Sequence, residues 1–255
     1  MSGIFTGVGV GPGDPELMTL KAVHAVEACS VIAIPVSDGT LDKPVYETAE
    51  NREERNEVYL DRCVAYQIAA GAVDGIAEKD RIYLPMPMIK EKDKLKSIHD
   101  KDAAAVAELL DQKKNVVFLT LGDPTVYSTC MYVHRRLKRN GYITQIVPGI
   151  PSFCAAAARM DIPLVENRQE LHVLPASYHI EESLDLPGTK VLMKAGRKIA
   201  EVKRMLTEKE LDAVMVENCG MENEKLYFGA QEIPEQAGYY SLLVVKEKQT
   251  GGKEV

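Results

Sequence analysis

Three stretches of the chain put glycine where a ligand would need bare backbone. They are Gly7-Val-Gly-Val-Gly-Pro-Gly-Asp-Pro-Glu, Leu121-Gly-Asp-Pro-Thr-Val-Tyr-Ser and Val147-Pro-Gly-Ile-Pro-Ser-Phe, and each follows an apolar run. A phosphate cradle is the first chemistry to weigh, because glycine-rich turns opening a helix bind anions. The first stretch departs from that pattern. Pro12 stands where GxGxxG needs its third glycine, and Asp14, Pro15 and Glu16 read as a helix N-cap, first position and first turn. Two carboxylates there occupy the place of a pyrophosphate. The acidic residue expected about 20 positions on is also missing, since Val31–Pro35 ends without one. A tight strand-to-helix turn remains open, as does a glycine turn that lets a flat ligand approach the backbone. Asp123 has two readings as well: a cap for a helix started by Pro124, or an acceptor for a ligand. As a cap, asparagine would serve nearly as well.

The elements that must carry these turns are legible as alternating apolar runs and helical spacings. Ile4–Val10, Val31–Pro35, Asn115–Leu121 and Ile143–Val147 read as strands. Met18–Ala28, Asp102–Asp111 and Val126–Asn140 read as helices. Val-Val-Phe-Leu-Thr-Leu within Asn115–Leu121 is apolar almost throughout and too short for a helix, as expected of a strand covered on both faces. Strand–helix–strand order predicts a largely parallel sheet whose ligand crevice lies at the strand C-termini. The three glycine turns would then share one end of the sheet. Further strands at Leu171–Pro175, Lys190–Lys194, Ala213–Glu217 and Tyr239–Lys246, with a helix at Ile199–Leu206, predict a second, mixed sheet. The expected organisation is therefore an α/β chain with domains at 1–148 and 149–248 and a mobile tail at 249–255. Residues 41–62, rich in charge, read as a solvated excursion.

Composition narrows the function classes. The 31 basic against 38 acidic residues give a net charge of −7, which disfavours general nucleic-acid affinity. The charge-free stretch 142–158 is too short to span a bilayer, and the N-terminus reads as a strand, not a signal. Cysteines 29, 63, 130, 154 and 219 form no CxxC pair, which predicts neither a disulfide frame nor a zinc site and fits the cytoplasm. Cys29, Cys130 and Cys154 fall in runs expected to face the core. His24, His99, His134, His172 and His179 have no spaced partners for a nucleophilic relay.

The three glycine stretches resemble the hallmark loops of the tetrapyrrole methylases, and the resemblance runs from Gly3 to about Val245. Gly122-Asp-Pro-Thr-Val-Tyr-Ser-Thr-Cys-Met-Tyr, Ser152-Phe-Cys-Ala-Ala-Ala-Ala-Arg with Ile162-Pro-Leu, and Pro85-Met-Pro-Met look most like the branch methylating C20 of precorrin-2 or cobalt-factor II. The resemblance implies two α/β domains with S-adenosylmethionine folded in the cleft between them, and a homodimer. An apolar face over Val126–Leu137 offers surface for that dimer. It also implies cofactor contacts at Pro12, Leu121, Gly122, Asp123, Val126, Tyr127, Ser152, Phe153, Met193 and Lys194, and in the region after Val216-Glu-Asn. Gly11, Gly13 and Asp14 of the opening loop would lie by the macrocycle. The segment 41–62 departs from the branch by its length and charge.

Methyl transfer from a sulfonium to an enamine-like ring carbon is an in-line displacement, so the substrate carbon itself is the nucleophile. Alignment and exclusion of water are the protein's tasks. A base must then accept the meso proton, and Tyr227 and Asp102, the latter at an expected helix start, are the candidates. A carboxylate-fringed ring also calls for cationic side chains, with Arg159 and Lys194 nearest the expected crevice. Two rivals remain: a methylase of this fold acting on another acceptor, and a non-enzymatic binding module.

Overall fold

A computed structural model describes residues 2–176 and 180–247. His179 and the tail 249–255 lie outside the described residues. The chain divides into two compact units, Met1–Pro151 and Ser152–Val255.

The first unit is built on a six-stranded sheet. Its strands are β1 (Phe5–Gly9), β2 (Val31–Val36), β3 (Val45–Glu47), β4 (Asp80–Pro85), β5 (Val116–Thr120) and β6 (Thr144–Val147), in the order β3-β4-β2-β5-β1-β6. All neighbours are parallel except the β3–β4 edge pair. Every residue of β1 and β5 is buried, the pattern of strands covered on both faces. Helices α1 (Leu20–Ala28), α2 (Glu54–Asp61) and α3 (Val64–Ala72) pack with Val8, Ile32 and Leu119. On the other face, α4 (Lys92–Asp111) and α5 (Cys130–Arg139) pack with Phe5, Ala33 and Phe118. The helix after β1 and the helix after β5 therefore leave on opposite faces of two adjacent strands. That is a topological switch point, the place where open α/β sheets bind ligands.

Three expectations are corrected here. Residues 41–62 are not a solvated excursion: they hold β3 and α2, and Leu41 and Leu60 are buried. Their charge misled because it is partly internal. The buried Glu47 accepts bonds from the Glu53 N–H at 3.0 Å and Asn56 Nδ2 at 2.6 Å. The buried Arg81 pairs with Glu57 at 2.9 Å. Second, Cys154 is exposed, because Ala155, Ala156 and Ala157 form the buried face of its helix; Cys63 is buried instead. Third, the apolar side of α5 (Cys130, Val133, Leu137) packs into the unit's own core, so it offers no free dimer face.

The second unit carries β7 (Leu171–Pro175), β8 (Thr189–Met193), β9 (Asp212–Glu217), β10 (Lys225–Phe228) and β11 (Ser241–Lys246), ordered β10-β9-β11-β8-β7. Only β7 and β8 pair in parallel, so this sheet is mixed. Helices α6 (Ser152–Arg159), α7 (Ile180–Leu184) and α8 (Ile199–Glu208) complete the unit.

Candidate functional site

The three glycine turns meet at the C-terminal ends of β5, β1 and β6. Gly11 and Gly122 exchange backbone bonds, Gly122 N–H to Gly11 O at 2.7 Å and the reverse at 3.3 Å. Both have positive φ, +80° and +73°, which side-chain-bearing residues rarely adopt. A Cβ on Gly149 would fall 2.2 Å from Gly122 O, and one on Gly9 would fall 2.6 Å from Gly149 N. Glycine is thus required for three backbones to converge at the switch point.

Asp123 stitches the second turn to the third. Its Oδ1 accepts the Thr125 N–H at 2.8 Å and also the Thr125 hydroxyl, while its Oδ2 accepts the Gly149 N–H at 3.0 Å. No helix starts at Pro124, since α5 begins at Cys130, so Asp123 is not a helix cap. The connecting loop is tied at its far end too: Ser128 Oγ accepts the Cys130 N–H at 3.1 Å and lies 3.3 Å from Thr120 Oγ1. Between these ties stand the half-buried Val126 and Tyr127, the latter half exposed with φ +49°. A tyrosine held in the left-handed region is a strained residue, and such strain collects at ligand sites.

The opening loop is closed from behind. Gly11, Pro12 and Gly13 are buried and Asp14 is half-buried. Asp14 Oδ1 accepts the Glu16 N–H at 2.9 Å and caps only a three-residue 3₁₀ turn, Pro15–Leu17. Helix α1 starts afresh at Leu20, capped by Thr19. The helix expected from Met18 starts at Leu20, separate from the turn that Asp14 caps, and the loop has no long-helix N-terminus aimed at a phosphate. Gly71 of α3 sits so close to Pro15 that a Cβ would fall 2.7 Å from the proline ring.

In the second unit, Ser152 and Phe153 open α6, and Phe153 packs on the cluster of Val191, Val216 and Val244. Arg159 ends that helix and is held by Glu224 at 2.5 Å, although its side chain is 60% exposed. Met193 closes β8. Lys194 follows with φ +61° and its ammonium 5.9 Å from the Tyr239 ring centroid. The Tyr227 hydroxyl donates to Glu217 Oε2 at 2.8 Å. Partial burial and then the Glu217 carboxylate raise this phenol above its ordinary range, so it keeps its proton. The resemblance points to the region after Val216-Glu-Asn but gives Glu217 no role, because nothing in Val-Met-Val-Glu marks a strand-end carboxylate as shared.

Asp102 lies elsewhere. It sits in the middle of α4, not at a helix start, and is fully buried beside α5 with His99 Nδ1 3.5 Å away. Burial raises its carboxyl, opposed by His99. A carboxyl sealed from solvent cannot reach a substrate carbon. The Cys130 thiol, packed under Gly7, is likewise inert, pushed to about 12 by burial.

At the switch point a ligand would meet glycine backbone, with the buried Asp123 carboxylate behind it already taken up by Thr125 and Gly149. A carboxylate in that place disfavours phosphate. The family model of the Tetrapyrrole (Corrin/Porphyrin) Methylases matches residues 5–233. A probable cobalt-precorrin-2 C(20)-methyltransferase of Methanocaldococcus jannaschii is 32% identical over 94% of this chain and 94% of its own. A precorrin-2 C(20)-methyltransferase of Sinorhizobium sp is 30% identical over 96% and 97%. Among solved structures, a cobalt precorrin-4 methyltransferase superposes with TM-score 0.67 at 17% identity, covering 95% of this chain and 94% of that one. The uroporphyrin-III C-methyl transferase of Thermus thermophilus, complexed with S-adenosylhomocysteine, gives 0.65 at 20% identity, covering 96% and 98%. With a family model spanning nearly the whole chain and glycine turns placed at a switch point, this chain belongs to the tetrapyrrole methylases, methyltransferases that use S-adenosylmethionine.

Proposed function

We propose that this chain methylates C20 of precorrin-2 or of its cobalt-bearing form in corrin synthesis. The observation that carries this reading is full-length similarity to C20-methyltransferases at 32% and 30% identity. The convergence of three glycine turns at the β1–β5 switch point supports it.

Bound S-adenosylmethionine supplies an electrophilic methyl group on a sulfonium. In the first unit, Leu121, Gly122, Asp123, Val126, Tyr127 and Pro12 would hold it; in the second, Ser152, Phe153, Met193 and Lys194. The backbone of Gly11 and Gly13, with Asp14, would face the macrocycle, and Arg159 would bind a carboxylate by exchanging Glu224 for it. Rigid loops suit this chemistry, because alignment of an intramolecular-like displacement contributes about 7–11 kcal/mol. The ties at Asp123 and Ser128 supply that rigidity. Neither Asp102 nor Tyr227 suits the role of proton acceptor, since one is sealed and the other holds its own proton.

The enzyme acts as a cytoplasmic homodimer in this reading. Five free cysteines fit a reducing compartment, and no helix among the described residues is long and apolar enough to cross a membrane. Light scattering at micromolar concentration tests the dimer, and a monomer contradicts it. Methyl transfer to metal-free and cobalt-loaded substrate tests the reaction.

A further inference from the structure

Strands β8 and β9 each pair antiparallel with β11, so they run parallel to each other and end on the same edge as β11 begins. That edge gathers Met193–Gly196, Glu217–Asn218 and residues 237–241. One carboxylate joins the second of these pieces to the third. Glu217 Oε2 accepts the Tyr227 hydroxyl at 2.8 Å from β10, and Oε1 accepts the Gly238 N–H at 2.8 Å. The Ser241 hydroxyl gives its proton to Gly238 O at 2.7 Å, so its 3.5 Å approach to Oε1 adds little. The next residue reinforces the join, Asn218 N–H to Tyr240 O at 3.0 Å. The segment held in this way lies directly across the β8 turn. A Cβ on Gly196 would fall 2.1 Å from Gly238 O and 2.8 Å from Ala237 O. Tyr239, within the same segment, is the ring over which the Lys194 ammonium sits.

We infer that Glu217 is a positioning residue for the methyl donor: by pinning residues 237–241 over Gly196 it fixes the Met193–Lys194 turn. This rests on the reading above that Met193 and Lys194 contact S-adenosylmethionine. The geometry also separates the role of the carboxylate's shape from that of its charge. The Gly238 N–H can only donate, so a glutamine at 217 would turn its carbonyl to Gly238 and its amide NH₂ to Tyr227. The tyrosine hydroxyl can rotate to accept that bond. Alanine can make neither bond.

The test measures S-adenosylhomocysteine affinity by calorimetry and steady-state kinetics in S-adenosylmethionine for the parent, Glu217→Ala and Glu217→Gln. Alanine is expected to weaken affinity at least fivefold and raise KM for the donor by the same factor, with kcat at saturation within twofold. Glutamine is expected to stay within twofold of the parent in all three. Alanine within twofold of the parent overturns the inference, as does equal weakening by alanine and glutamine. Should the alanine variant not fold, hydrogen exchange of the parent decides. The Gly238 and Asn218 amides are expected to slow at least fivefold when S-adenosylhomocysteine is added, and unchanged rates overturn the inference. A parent that binds no S-adenosylhomocysteine overturns the underlying reading and the inference with it.

Discussion

The Asp123 carboxylate accepts the Gly149 N–H at 3.0 Å, joining two loops 26 residues apart in the chain. Its other oxygen is taken by Thr125, so the two oxygens face N–H donors from different loops. Asparagine has one carbonyl oxygen and must turn an NH₂ toward one of those donors. Because Asp123 is 7% exposed, the orphaned N–H stays dry. Asp123→Asn is expected to lose about 1–3 kcal/mol of stability without ligand, read by urea unfolding. A loss of only about a few tenths of a kcal/mol, which the helix-cap reading of the sequence predicts, would mean that the stitch contributes nothing.

Gly149→Ala is expected to be worse. Its Cβ would lie 2.2 Å from Gly122 O, and backbone on both sides leaves no flexible side chain to yield. Overpacking of this kind costs about 1–3 kcal/mol or more. Loss of S-adenosylhomocysteine binding should accompany it, because Gly122 must move. Calorimetry on the folded fraction checks this, and parent-like affinity would separate the third turn from the site.

Asp102 gives a pH signature. Its folded-state pKa is raised, so the native state holds a proton that the unfolded chain releases above its ordinary value of 3.8. Stability from this residue is therefore present at acid pH and lost as pH rises through the folded pKa. Asp102→Asn should be more stable than the parent at pH 7, with the gap closing toward pH 4. Its kcat should stay within about twofold, given the residue's burial. A gap independent of pH, or a collapse of kcat, contradicts this.

Tyr227→Phe tests the other candidate base. The phenol is a donor to Glu217 and is shifted away from ionisation. Removing it is expected to leave kcat within about threefold, below the 10²–10⁴-fold contribution of a general base. A loss of a hundredfold or more would restore Tyr227 to catalysis.

The strand ends were legible in the sequence for physical reasons. Residues 116–119 are apolar because both faces are covered, and glycine at 9 and 149 marks backbone crowding that a Cβ would not tolerate. Residues 41–62 were misread because Glu47 is buried and bonded to Asn56 inside the fold, which charge counting cannot register. The helix expected from Val126 begins at Cys130, because Asp123–Thr125 and Ser128 bonds hold the intervening loop open. The Asp102 role failed for a related reason: α4 starts at Lys92, a charged turn with no side-chain cap to announce it. The joining role of Glu217 was not legible because its partners are 10 and 21 residues away and meet only through the sheet.

The central claim is regiospecific methyl transfer, and its most direct test uses S-adenosylmethionine labelled with ¹³C at the methyl group. The purified chain is offered metal-free precorrin-2 and the cobalt-loaded form, and each product is located by NMR. The account predicts one new methyl, at C20, on at least one of the two substrates, with stoichiometric S-adenosylhomocysteine. A methyl at any other ring position, or no transfer to either substrate, would contradict it.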